Sequence, residues 1–353
     1  MRGTRWTRVV GPALAFSLAL QAVTGLCMAS FYAPSSTTAW AAVAYIQQEV
    51  TLGWFIRGLH SVGASMTVAL LALHLVQSVA LGTYATALRK NWILGLALGG
   101  LVLAFALTGY LLPWDQKGYW ATQVATSLLG ETPFVGDYLR RVVQGGGDYG
   151  NLTLTHFYAL HTMLLPALTT TLVVLHVRWT RRSGAWWPDD AWRDALACAL
   201  VIVVSYALAV RSHGAPLEGP ADPASAYDAR PEWYFLPLFQ LLKYLPGRIE
   251  AIGALGLPLV VVGLLLALPR APRPQAIGIV LALGAAAGAL MLRARLDDRH
   301  NEPYQRGRAR AEADAKRALE LAQKGVPPAG GLAVYDNDPM LRARKLFDAK
   351  CAG

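Results

Sequence analysis

Seven histidines occur in the 353-residue chain, and four of them stand inside long apolar runs. His60 and His74 are 14 residues apart in one run; His161 and His176 are 15 apart in another. Neutral imidazole in lipid is costly unless its nitrogens have partners. At about 100° per residue, 14 residues return to within about 40° of the same helix face, and 15 to within about 60°. Each pair therefore lines one side of its helix, its members roughly 21–22 Å apart along the axis. If the two helices run in the same direction, His60 faces His161 at one depth and His74 faces His176 at another. One histidine from each of two helices, at two levels, suits two b-type haems with two axial histidines each. Zinc would need three or four ligands converging on one point. A lone buried histidine would instead read as a hydrogen-bonded core residue. Glycines repeat the period on two further apolar runs: Gly11 and Gly25, then Gly95 and Gly109, each pair 14 apart. Glycine lets backbone approach a flat ligand closely. The structural alternative is the small-residue packing common between membrane helices.

The elements that must position these residues are membrane spans. A spanning helix needs roughly 20 apolar residues, and seven stretches qualify or nearly do: about 9–32, 53–81, 93–112, 153–176, 195–210, 251–268 and 276–292. The first is too long, and its Gly11-Pro12 start too unlike a cleavage site, to be a removable signal peptide. The chain is 54% hydrophobic and 15% charged, whereas soluble domains carry about 25% charged residues. Of its 54 charged residues, 22 lie in positions 293–353. This pattern excludes a disordered chain, a disulfide-stapled secreted domain and an ordinary soluble enzyme. Cys27, Cys198 and Cys351 are too scattered for a disulfide framework.

Loop charge sets the orientation. With the N-terminus inside, the inner segments 1–8, 82–92, 177–194 and 269–275 hold 11 Lys and Arg in 44 positions, among them Arg2, Arg5 and Arg8. The outer loops 33–52, 113–151 and 211–248 hold 7 in 97. The bias favours N-inside, with the C-terminal tail outside. The net charge of +10 follows from this bias, and no nucleic-acid partner is expected. The expected fold class is all-α: a four-helix di-haem bundle plus three further transmembrane helices. Residues 1–192 form the bundle, 193–293 a three-helix domain with the quinol site, and 294–353 a polar external tail. In the long outer loops, residues 116–130 and 134–144 are expected to form interfacial helices anchored by Trp120 and Tyr138. The tail is expected to be helical over 303–324, with Pro327, Pro328, Gly330 and Gly331 making a linker.

Several stretches carry a family resemblance. Trp54–Met66 (WFIRGLHSVGASM), Gly109–Trp114 (GYLLPW), Thr153–Pro166 (TLTHFYALHTMLLP) and Pro231–Tyr234 (PEWY) resemble cytochrome b of the bc-type quinol–cytochrome c or plastocyanin oxidoreductases. The resemblance covers about residues 5–293. The 15-residue spacing and PEWYFLPLFQLLKYLPG are similar to the photosynthetic branch, in which the protein is split in two chains; here it is fused. The resemblance implies that His60 and His161 bind the low-potential haem and His74 and His176 the high-potential one. It assigns proton acceptance from quinol to Glu232, with Tyr110, Gly136 and Tyr234 around the same pocket. On the residues alone, Glu232 could equally be a helix N-terminal acid favoured by the dipole. Arg57, three residues before His60, would meet a propionate of the outer haem. Arg193 and Asp194 stand where the family often has a basic–acidic pair at the inner quinone site; their structural alternative is an inside anchor and a helix N-terminal acid. His156 and Gln77 replace arginines usual in the family, and a titrating His156 would make the outer haem pH-sensitive.

The implied activity is electron bifurcation in a bacterial cytoplasmic membrane. One quinol electron goes to a Rieske iron–sulfur protein and the other crosses the membrane to quinone, with proton translocation, in a homodimeric complex. The alternatives are a di-haem membrane anchor of a dehydrogenase or hydrogenase, and a non-redox transporter with intramembrane histidines. Residues 342–353 (RARKLFDAKCAG) resemble the lead-in to a c-type haem site, C-x-x-C-H, with Cys351 as its first cysteine. They imply a cytochrome c partner or fused domain, or else a terminal thiol by chance.

Overall fold

The computed structural model describes residues 9–85, 89–147, 149–182, 191–225, 227–245 and 247–351. Arg2, Arg5, Arg8, Ala352 and Gly353 lie outside the described residues. In chain order the helices are α1 (Val10–Ala29), α2 (Ala39–Gln48), α3 (Gly53–Leu81), α4 (Arg89–Leu111), α5 (Gln116–Gly130), α6 (Gly136–Gln144) and α7 (Asn151–Ala159). They continue with α8 (Leu165–Arg182), α9 (Ala191–Arg211), α10 (Leu236–Leu242), α11 (Arg248–Ala267), α12 (Arg273–His300), α13 (Glu302–Ala322), α14 (Leu332–Asn337) and α15 (Pro339–Cys351). A π-helical turn, Leu160–Leu164, joins α7 to α8. The fold is all-α. Among the described residues, seven helices, with α7–α8 counted as one, are long and apolar enough to cross a membrane. No more than 17% of any spanning window is buried within the chain, so most of each apolar surface is left for lipid.

Local chemistry sets several boundaries. Leu52 is left-handed at φ +59°, and a Cβ on the next residue, Gly53, would fall 1.8 Å from the Ile46 carbonyl oxygen. Only glycine can start α3 so close to α2. The helix ends on left-handed Gly82, whose N–H closes the last turn. Asp115 caps α5 by accepting from the Gly118 N–H at 2.8 Å.

Packing divides the di-histidine bundle into two close pairs, α1 with α3 and α4 with α8, while α3 and α8 make no extended contact. A buried hydrogen bond between Ser17 and Thr67 (2.8 Å) ties α1 to α3 midway between the two histidines of α3. Helix α9 flanks α1 and α3, α12 flanks α3 and α10, and α11 lies against α4 and α5. At one end, Val79, Tyr84, Trp92, Leu268 and Ala276 gather the ends of α3, α4, α11 and α12 into one core.

The other end is capped. One core of the cap joins Leu111, Trp114, Tyr119, Leu154 and Phe157. A second joins Trp40, Val43 and Ala44 of α2 to Leu217, Ala318 and Val334. The tail is thus part of the cap. Helix α13 carries an alanine–leucine stripe that needs cover, and it finds that cover on Trp40. The segment expected to be a linker is a docked turn: a Cβ on Gly331 would meet Trp40 Cε3 at 2.9 Å. Ion pairs from Lys345 to Asp222 (2.9 Å) and Arg317 to Asp338 (2.7 Å) fasten α13–α15 further. Trp120 turns inward, donating to Gln116 and Ser225, whereas Tyr138 is exposed.

Candidate functional site

The four histidines meet in two pairs. Ring centroids are 6.4 Å apart for His60 and His161, at the capped end, and 6.3 Å apart for His74 and His176. A metal bonded from opposite sides by two imidazoles at about 2.0–2.1 Å puts their centroids roughly 6.3 Å apart. Side-chain oxygens lie at Nδ1 of three of the rings. The Thr24 hydroxyl donates to the Leu20 carbonyl (2.8 Å) and lies 2.9 Å from His60 Nδ1. With its one hydrogen on Leu20 O, the hydroxyl is free to accept from a ring N–H at Nδ1. Thr108 repeats the device: its hydroxyl donates to Ala104 O (2.8 Å) and lies 3.0 Å from His161 Nδ1. His74 Nδ1 faces the amide oxygen of Gln77 at 3.3 Å, an atom that can only accept. At three rings, then, Nδ1 has a side-chain oxygen within reach, and a proton held there leaves the Nε2 lone pair for a metal, the arrangement expected of ligating histidines. The residues fit bis-histidine haem at both levels.

Each glycine of the 14-residue repeat packs on one ring. A Cβ would meet the Cε1 of His74 from Gly11 (3.4 Å), of His60 from Gly25 (3.2 Å), of His176 from Gly95 (3.4 Å) and of His161 from Gly109 (2.6 Å). The room they make is room for imidazoles. The π turn resolves the unequal spacing. His161 lies within it, and a π turn takes up one extra residue. Fifteen residues on α7–α8 therefore match 14 on α3, and both pairs close to the same separation.

At the capped end a second cluster forms around Pro231–Tyr234. Glu232 Oε1 accepts from Lys117 Nζ at 2.8 Å. Lys117 sits over the Tyr110 ring, 5.5 Å from its centroid, and the Tyr110 hydroxyl donates to the Arg230 carbonyl at 3.3 Å. Tyr110, Tyr234 and Glu232 lie close enough to interact electrostatically. Burial, and then the Glu232 charge, raise the Tyr234 hydroxyl above its usual pKa. Arg230 is held by Asp298 (2.9 Å) and by Asp228. Asp115, beneath Lys117, is buried. Desolvation raises its pKa, partly offset by the N–H groups of Gly118 and Glu218 and by Arg57 and Lys117.

A protein-family model described as Cytochrome b/b6/petB matches residues 4–184. The chain belongs to the cytochrome b/b6 family. Cytochrome b of Acanthamoeba castellanii is 33% identical over 275 residues, covering 72% of this chain and 71% of that one. Cytochrome b6 of Porphyra purpurea is 38% identical over 168 residues, covering 48% and 78%. Cytochrome b6 of Euglena gracilis is 38% identical over 165 residues, covering 47% and 77%. The solved structure titled "Hyperthermophilic respiratory Complex III" superposes with a TM-score of 0.74 at 21% identity, covering 91% of each chain; this likeness bears on the fold. Membership makes the chain an electron-transport protein of the membrane, in a family whose cofactor is b-type haem.

The other expected residues of this cytochrome b/b6-family chain fall as follows. The buried Arg57 guanidinium donates to Gln47 and to the carbonyls of Ala215 (2.6 Å) and Pro216 (2.7 Å), fastening α3 to the α9–α10 connection. Gly136 opens α6 against α5, where a Cβ would fall 2.0 Å from the Gly130 carbonyl oxygen. Arg193 and Asp194 are in the first turn of α9, with the guanidinium over the Trp192 ring at 4.7 Å. Four residues on, Cys198 Sγ reaches Pro12 O at 3.9 Å, next to the Gly11 that packs on His74. His156 packs on Gly145. Cys351 is exposed at the end of α15. The sequence reading did not single out Thr24, Thr108 or Lys117 as site residues. A threonine directly before each capped-end glycine (Thr24-Gly25, Thr108-Gly109) was the available signal for the first two.

Proposed function

We propose that this chain is the cytochrome b subunit of a quinol-oxidising bc-type complex in a bacterial cytoplasmic membrane, with its capped end outside. Two b-type haems, when bound, supply one-electron carriers at two depths. His60 and His161 hold the outer one and His74 and His176 the inner. Glu232 accepts a proton from quinol at the capped end, where Tyr110 and Tyr234 wall the carboxylate. Arg193 and Asp194, at the opposite end beside α1, serve quinone reduction. Protons leave outside and are taken up inside. A Rieske iron–sulfur protein and a cytochrome c or similar carrier are the partners on the capped face, within a homodimeric complex.

The observation that carries this reading is the pair of equal histidine separations, with a side-chain oxygen at Nδ1 of three of the four rings. Glu232 near one level favours a quinol-oxidising subunit over a di-haem anchor. The test uses the purified complex. Glu232→Gln should retain both haems and slow quinol–cytochrome c turnover by roughly 10²-fold, the low end for loss of a general base. Full haem occupancy with no quinol–cytochrome c activity in the wild type, Rieske partner present, would favour the anchor reading.

A further inference from the structure

We infer that Lys117 is a positioning residue for Glu232: it holds the carboxylate beside Tyr110 at the capped end between turnovers and releases it on protonation. The inference rests on the reading of Glu232 as the quinol's proton acceptor. The backbone around Glu232 is fixed from two sides. Its carbonyl accepts from the N–H groups of Phe235 (2.9 Å) and Leu236 (3.2 Å). Two residues earlier, Arg230 is pinned to Asp298 on α12, and its carbonyl to Tyr110 on α4. Only the side chain of Glu232 is left to move, and among the described residues Lys117 is its hydrogen-bonding partner. The two side chains are 31% and 33% exposed. A freely solvated pair would hold no fixed geometry, and a sealed one could not exchange protons with water.

Lys117 is itself aimed. It comes from the second residue of α5, whose start is set by the Asp115 cap, and the Tyr110 ring lies under its ammonium group. When the quinol O–H bond breaks, its proton forms the Oε–H bond of Glu232 and leaves the quinol as its anion. The carboxyl then lacks the charge that Lys117 grips. The neutral acid can turn from the lysine and pass its proton to water through its part-exposed side. Once ionised again, it returns to the ammonium group.

The test measures turnover, KM and haem content in Lys117→Met, Lys117→Arg, Glu232→Gln and the double variant Lys117→Met/Glu232→Gln of the intact complex. Lys117→Met should lower kcat roughly fivefold, with KM and both haems unchanged, and Lys117→Arg should keep most of the activity. In the Glu232→Gln background Lys117→Met should add nothing, because the lysine acts through the carboxylate. Wild-type turnover in Lys117→Met would overturn the inference, as would effects that multiply in the double variant. Loss of haem from Lys117→Met would assign the lysine to the fold instead and also overturn it. Wild-type turnover in Glu232→Gln would remove the acceptor reading itself, and the inference with it.

Discussion

The two histidine levels share a geometry and differ in what maintains it. Ring separations agree, 6.4 Å at the capped end and 6.3 Å at the other. At the capped end each Nδ1 is held by a threonine from the neighbouring helix of its own pair, Thr24 for His60 and Thr108 for His161. At the other end His74 is held by Gln77, one turn along its own helix. His176 Nδ1 has no side-chain partner among the described residues; what the ring has beside it is the backbone of Asn91. The glycine contacts follow the same order, with Cβ distances of 3.2 and 2.6 Å at the capped end against 3.4 and 3.4 Å. Helical period sets where a ligand stands; its neighbours set which way the ring turns and which nitrogen is free. The capped-end level is over-determined, the other less so.

That contrast can be broken in stages. The largest effect is expected from removing a ligand: His161→Ala should lose only the capped-end haem and His176→Ala only the other, each seen as half the b-type absorbance with the chain still in the membrane. Loss of both signals from either variant would mean the levels are not independent. Next, Gly109→Ala should destabilise its level by about 1–3 kcal/mol through overpacking. Gly95→Ala, with an ordinary contact distance, should cost less, as read by haem retention on heating. Smaller again, Thr108→Val should keep haem but make His161 a weaker base. The midpoint potential of the capped-end haem should rise in a redox titration, with the other unmoved.

The smallest effect concerns the cap. Backbone N–H groups, Leu341 first, and then Arg317 hold the Asp338 carboxyl below the usual carboxylate range. A group whose folded pKa is lowered stabilises above its unfolded value, about 3.9, and that contribution is lost as pH falls through the folded value. Tail docking should weaken below about pH 4, and Asp338→Asn should show weakened docking already at neutral pH, read by limited proteolysis of residues 323–339.

The seven spans were legible because twenty apolar residues in a row leave a chain few options. The span expected over 53–81 coincides with α3, and the short helix over 116–130 with α5. The helix expected to end at 292 runs on to His300, because charged residues continue a helix as well as apolar ones once it leaves lipid. The histidine pairing was legible from the period together with the shared direction of the two spans. The π turn was not, since nothing in Leu160–Leu164 marks where an extra residue will be absorbed. The tail's docking was not legible either: Pro and Gly read as a linker until Trp40 and Thr37 supply a surface for Gly330 and Gly331. Lys117 read as one more outer-loop cation, because its meaning depends on a carboxylate 115 residues away.

The most direct measurement is the haem b content per chain in the purified wild-type protein, paired with a redox titration. Two haems per chain are expected, titrating at two distinct potentials. One haem per chain, or none, with all four histidines intact, would contradict it.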